Sequence, residues 1–240
     1  MAVPVSTPKM IDAAETRTAR RGRPPKDESA DTRATILDAA EALFSEHGFD
    51  AVTQRQVART AGVDSALLHY YFGDKRGLFD AVFLRRAEIL NHERLQALDG
   101  YERDAGEAMT LEGVMEAFLR PVLEPSTHTG PGWRNYFALV AQVNNTPVWG
   151  GETMTRYFDP VIHRLIALVR KVMPSARAED LYWSYHMLSG ALTLTLGQTG
   201  RLDLLSGGLC RSRDLTAACD HLVPFAAAGF RAACARSSPA

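Results

Sequence analysis

Apolar residues recur at helical spacing through every substantial segment of this chain, and none alternates as a half-buried strand would, so the pattern predicts an all-α protein. In TRATILDAAEALFSEHGF, Ile36, Ala40, Leu43 and Phe44 share one face of a helix that stops at Gly48. Residues 54–73, QRQVARTAGVDSALLHYYFG, predict two short helices joined by a tight turn. Val57 and Ala61 form the inner face of the first, and Ala58 is small enough for the second to cross it closely. Gly62 sits at the turn, where a left-handed backbone costs glycine nothing. Val63, Leu68 and Tyr71 face inward from the second helix. Thr53 and Gln56 have capping-box spacing, and Asp64 can cap the second helix with Val63 and Leu68 as a hydrophobic staple. A much longer helix then starts at about Lys75, with Leu78, Val82 and Ile89 on roughly one face.

Past Tyr101 the polar, Gly-containing GYERDAGEAM reads as the loop that ends this helix. Further helices are predicted over 111–123, interrupted by Pro121, and over 133–143. Two more fall within 149–173, divided near Pro160, and the last cover 179–196 and 215–235, where Pro224 should kink the helix or end it early. The segment LYWSYHMLSGALTLTL is apolar almost all round, and the last helix is rich in Ala. Both therefore need burial on more than one side, which a second copy of the chain would supply with Leu192 and Leu196 on the shared face, the alternative being a purely intramolecular core.

The 240 residues are 46% apolar and 23% charged, as in an ordinary globular protein, and no run approaches the roughly 18 apolar residues of a membrane span. The expectation is a cytoplasmic chain without membrane contact. Cys210, Cys219 and Cys234 lack C-x-x-C spacing and read as buried reduced thiols. Net charge is −1, so bulk positive charge is excluded as a means of binding nucleic acid. Its distribution matters more: RTARRGRPPK, residues 17–26, carries five cations and no acid, with Pro and Gly that forbid a stable helix. Residues 1–30 thus read as a disordered tail whose basic arm, through Arg21 and Arg23, suits a narrow minor groove.

The ordered set A-x-x-L-F before H-G-F, T-x-x-x-V-A, A-G-V and L-x-Y-Y-F-x-x-K resembles the N-terminal domain of the TetR family of transcriptional regulators over about residues 31–90. The chain departs from the family pattern at Asp64 and at Leu67-Leu68-His69, where the family commonly has Ser and Thr-Leu-Tyr. The resemblance implies a helix-turn-helix DNA-binding domain at 31–78 and a ligand-binding, dimerising domain at 79–240. It also implies a four-helix homodimer interface built from the last two long helices of each subunit. Read as a recognition helix, residues 65–71 offer Ser65, Ala66, Leu67 and His69 to base edges in the major groove. By resemblance Thr53, Gln54 at the start of the first short helix, Tyr70, Tyr71 and Lys75 are expected on phosphates and Arg55 on a base; Tyr71 fits the core equally well.

The middle helices are dense in aromatics. Phe118, Trp133, Tyr136, Phe137, Trp149, Tyr157 and Trp183, with His186 as a polar group, are the candidate lining of an apolar ligand pocket, and each alone would also pass as core. No H-E-x-x-H, G-x-S-x-G or phosphate-binding glycine loop is present and the histidines are scattered, so no catalytic residue, metal site or cofactor is expected. The resulting expectation is a dimeric regulator bound to a palindromic double-stranded DNA operator, with repression and release by a small-molecule inducer following from the resemblance. The aromatics favour a lipophilic inducer, and the C-terminal half weakly resembles family members that sense fatty-acyl compounds. The alternative is a TetR-like DNA-binding protein controlled by a protein partner, or one without any effector.

Overall fold

The computed structural model describes residues 26–124, 130–146 and 150–235, and within these it contains helices and no strand. Arg21, Arg23 and Trp149 lie outside the described residues. The first helix, α1 (Lys26–Ala51), breaks at Gly48, whose φ of 80° is in the left-handed region, so the helical face carrying Ile36, Ala40 and Phe44 ends where the sequence predicts. Leu43 is half-buried beside them.

The helices α2 (Gln54–Ala61) and α3 (Ser65–Phe72) form the predicted pair. Gly62 adopts φ 68°, ψ 28° between them, and its N–H bonds back to α2. Val57, Ala58 and Leu68 are buried against α1 and the start of α4 (Lys75–Ala105), and so hold in place two helices too short to persist alone. The Asp74 carboxylate accepts the Gly77 N–H at 2.8 Å and starts α4.

With 31 residues, α4 is about 46 Å long, and it runs from the helix-turn-helix into the C-terminal bundle. It continues unbroken across the 78/79 position taken from the sequence as a domain boundary. It also runs through Gly100 to Ala105, six residues into the segment read as a loop. Tertiary partners outweigh the glycine there: Glu102 accepts hydrogen bonds from Lys171 and Arg164, and the Thr110 N–H donates to the Tyr101 hydroxyl at 2.9 Å. The bonds from Lys171 and Arg164 also hold the Glu102 carboxyl below its ordinary pKa. The inner stripe of α4 is Leu78, Val82, Phe83, Ala87, Leu90, Arg94 and Leu98, whereas Ile89 faces outward.

The bundle is completed by α5 (Leu111–Leu123), α6 (Pro131–Asn144), α7 (Gly150–Val172), α8 (Ala178–Leu196), the short α9 (Arg201–Leu205) and α10 (Leu215–Ala235). Pro121, Pro160 and Pro224 all lie inside continuous helices, so α7 is one helix rather than two and α10 does not end early. Proline costs a helix one hydrogen bond and some steric strain, and burial of seven to nine residues on each of these helices outweighs that. Cys219 and Cys234 are buried, but Cys210 is exposed on the segment joining α9 to α10.

A Cβ placed on Gly77 would lie 2.2 Å from the Phe72 carbonyl oxygen, which is backbone and cannot step aside. We therefore expect Gly77→Ala to cost about 1–3 kcal/mol in thermal unfolding by separating α3 from α4. Gly151→Ala, where a Cβ meets nothing within 4 Å, should be neutral or slightly stabilising; equal behaviour of the two variants would contradict this packing.

Candidate DNA-binding surface and ligand cavity

Among the described residues, the local fold of α2 and α3 leaves one face of α3 without packing. The capping box is formed, with the Thr53 hydroxyl accepting the Gln56 N–H at 3.2 Å and the Gln56 side-chain oxygen accepting the Thr53 N–H at 2.8 Å. Gln54 donates to the Gly73 carbonyl at 3.1 Å, tying the start of α2 to the end of α3. The Asp64 carboxylate accepts the Ala66 N–H at 2.8 Å, as its position predicts. Ser65, Ala66, His69 and Tyr70 project outward, Tyr70 with 74% of its surface exposed, and Arg55 is exposed on α2. Leu67 and Tyr71 are half-buried, and Tyr71 packs against the core as well as edge-on to Tyr70.

Two cations lie near the end of α3 in the fold or the sequence. Lys75 lies with its ammonium 4.4 Å from the Phe49 ring centre and donates to the Asp50 carbonyl at 3.2 Å. Arg33, which the sequence reading passed over, extends its guanidinium over Phe72 at the end of α3, 5.4 Å from the ring centre. Its only sequence signal is its place one turn before the buried Ile36.

A polar junction joins this head to the bundle. Glu41 on α1 is 2% exposed and receives Arg85 at 2.6 Å and Arg86 at 2.8 Å from α4. The Arg86 guanidinium also lies 5.0 Å from the Trp133 ring centre, at the start of α6. Gly132 permits this approach, since a Cβ there would meet Arg86 at 1.9 Å and Glu41 at 2.8 Å. Gln142 on α6 donates to the Ser45 carbonyl of α1 at 2.8 Å, and Arg76 of α4 donates to the buried Thr153 hydroxyl of α7 at 2.7 Å.

Within the bundle a cavity of about 40 Å³ touches all five helices from α4 to α8. Phe118 and Phe137, two of the aromatics singled out in the sequence, line it together with Leu90, Arg94, Phe158, Tyr185 and Leu192. Asn144 is also in the wall and donates to the Thr193 hydroxyl at 2.7 Å. Other expected lining residues lie elsewhere. Tyr136 is fully buried behind the wall against Phe83, and Tyr157 is half-buried against the same ring from α7. Trp133 belongs to the Arg86 junction.

Trp183 and His186 face away from the cavity. Trp183 is 58% exposed, and with Tyr182, Met187 and Leu194 it makes an outer apolar stripe on α8; Phe225 is similarly exposed on α10. Leu192 and Leu196, expected on an intersubunit face, line the cavity instead. Because α8 is apolar all round, its sequence cannot say which of its faces looks inward.

Two family models match the chain. Residues 36–82 match the model described as "Bacterial regulatory proteins, tetR family", and residues 116–229 match "Tetracyclin repressor-like, C-terminal domain". The chain belongs to the TetR family of transcriptional regulators. The helix-turn-helix lies within the TetR N-terminal model, and the cavity walls from α5 to α8 lie within the TetR C-terminal one. Leu90 and Arg94, on the α4 wall, fall between the two.

Among curated TetR relatives, the regulator BetI of Rhizobium meliloti (strain 1021) is 38% identical over 79 residues, covering 28% of this chain and 39% of BetI. AcrR of Shigella flexneri is 36% identical over 61 residues, covering 25% and 28% of the two chains. The chain thus matches less than half the length of either relative. A TetR-like transcriptional regulator from Rhodococcus sp. RHA1 aligns over 87% of this chain and 99% of its own, with a TM-score of 0.54 and 22% identity. The fatty acid degradation regulator FadR from Bacillus halodurans aligns over 83% and 96%, with a TM-score of 0.55 and 16% identity. These two likenesses establish the shared fold.

The Glu41 junction has a measurable cost of removal. We expect Glu41→Gln to lower stability by about 3 kcal/mol in chemical denaturation, because it leaves Arg86 facing a neutral group and Arg85 with the exposed Asp38 as its remaining carboxylate. Arg85 and Arg86 keep 25% and 18% exposure, which places the loss at the low end for a buried pair. A loss below about 0.5 kcal/mol, as for an ordinary surface site, would contradict the junction's role.

Proposed function

We propose that this protein is a dimeric, sequence-specific DNA-binding regulator whose recognition helix is α3. The observation that carries this reading is the outward face of α3. It holds a serine, a histidine and a three-quarters exposed tyrosine that nothing among the described residues covers, on a helix fixed at both ends by Asp64 and Gln54. Ser65, Ala66, Leu67 and His69 would meet base edges, with Arg55 reaching a further base. Thr53, Gln54, Tyr70, Tyr71 and Lys75 would meet phosphates, joined by Arg33. Arg21 and Arg23 are assigned to the neighbouring minor groove on sequence grounds alone. Two copies would pair through the apolar stripe of α8 and Phe225 of α10, which gives the operator its palindromic symmetry.

A lipophilic effector is assigned to the cavity, in keeping with its apolar and aromatic walls. A bound molecule of useful size takes roughly 300 Å³ or more, so entry must push the five helices apart. One of those helices is α4, which carries the head at its other end. A preference of the effector for one head separation, worth about 1–3 kcal/mol, would suffice to release the operator. Repression is the mode assigned, by analogy with the family. The small volume of the cavity favours a second reading as well, in which the C-terminal domain dimerises without any small-molecule effector.

Binding-site selection followed by footprinting tests the DNA-binding reading. A symmetric inverted repeat should be protected, with half-site centres about 34 Å apart or somewhat more. Arg55→Ala and Ser65→Ala should change base preference, whereas Tyr70→Ala should weaken binding to all sequences alike. A footprint on a single half-site, or a Tyr70→Ala variant with full affinity, would count against the assignment.

A further inference from the structure

We propose that the cavity is the seat of an organic monocarboxylate, held at its charged end by Arg94 and along its hydrocarbon body by the apolar side chains of α7 and α8. This rests on the effector reading and adds to it the chemical class of the ligand.

Arg94 is a guanidinium in the protein interior, only 4% exposed, and it forms part of the cavity wall. Its Nε donates to the Phe118 carbonyl at 3.1 Å, and its guanidinium carbon lies 3.8 Å from the centre of the Phe118 ring. These contacts use one of its five N–H donors and one of its faces. Among the described residues no carboxylate forms an ion pair with it. The ionisable groups that act on its charge are the phenols of Tyr185 and Tyr136, which burial keeps neutral. Burial lowers the Arg94 pKa to about 10, so the group remains a cation at neutral pH.

A buried cation without a counter-ion is costly, and the fold leaves this one in a cavity wall rather than against an acid. A second buried polar group stands behind the wall. The Tyr136 hydroxyl is buried without a hydrogen-bond partner and near enough to sense the guanidinium. The planar fork of arginine matches a carboxylate in a bidentate arrangement. A phosphate dianion would call for more positive charge than this single residue supplies. The rest of the wall, including Met154, Phe158, Ile162 and Leu192, is apolar and suits an alkyl or aryl body.

The test uses the full chain at pH 7 with two probe pairs that share a hydrocarbon body and differ in the head group, carboxylate against alcohol: octanoate against 1-octanol, and 3-phenylpropanoate against 3-phenylpropanol, followed by calorimetry and thermal shift. At least one carboxylate should bind about tenfold or more tightly than its alcohol, the value of a charged hydrogen-bonded contact. Arg94→Met should stay folded without loss of thermal stability, since it replaces an unpaired buried charge with an apolar chain, and it should lose the preference. Arg94→Lys, which keeps the charge but not the fork, should retain the preference in weakened form. Equal binding of alcohols and carboxylates to the unaltered protein would overturn the carboxylate assignment and leave the effector reading standing. A preference that survives in Arg94→Met, or octanoate affinity unchanged in Arg94→Lys, would also overturn it. Binding of none of the four probes would overturn both.

Discussion

The buried carboxylate of Glu41 is the point on which the two halves of this protein meet. It sits on α1, its two cations come from α4, and the same Arg86 lies against Trp133 at the start of α6. A carboxylate with 2% exposure is tolerable only when paired, so α1, α4 and α6 are fixed together at this place. Gly132 is part of the constraint, because any side chain there would occupy the space of the ion cluster. The Gln142–Ser45 and Arg76–Thr153 bonds extend the same junction on either side. The helix-turn-helix is therefore held by the C-terminal bundle through two routes, the length of α4 and the α1–α6 contact.

This arrangement gives a physical path from the cavity to α3. Helices α4, α6 and α7 wall the cavity and also carry the residues of the junction, so widening the cavity loads the elements that orient the head. Packed helices respond to such a load by shifting as rigid bodies, because interiors at crystal-like density do not deform smoothly. An effector could then act on DNA affinity from a distance without touching the DNA-binding face.

What the sequence made legible was local. The Thr53–Gln56 box, the Gly62 turn and the Asp64 cap are contacts within four residues, and each has the geometry that its spacing predicts. Tertiary choices were harder to read. Helix α8 is apolar on every side, so Trp183 and His186 were indistinguishable from pocket residues until the fold showed Leu192 and Leu196 facing inward instead. Prolines 160 and 224 read as breaks because the packing that carries α7 and α10 across them is not local. Glu41 and Arg94 were missed for a shared reason. A charged residue on an amphipathic helix reads as solvated, and the partners or cavity that draw it inward come from helices far away in sequence.

The central claim, that cavity and recognition helices are mechanically joined, is tested most directly by a distance. Nitroxides placed at Thr60→Cys in a Cys210→Ser background, where the remaining thiols are buried, report the separation of the two heads in a dimer by pulsed electron spin resonance. With octanoate as the probe of the cavity, the account predicts a narrow distance distribution that shifts on saturation. In Glu41→Gln the distribution should be broad and respond little. A distribution that stays the same with the probe bound to the cavity, or one equally narrow and responsive without the Glu41 carboxylate, would contradict it.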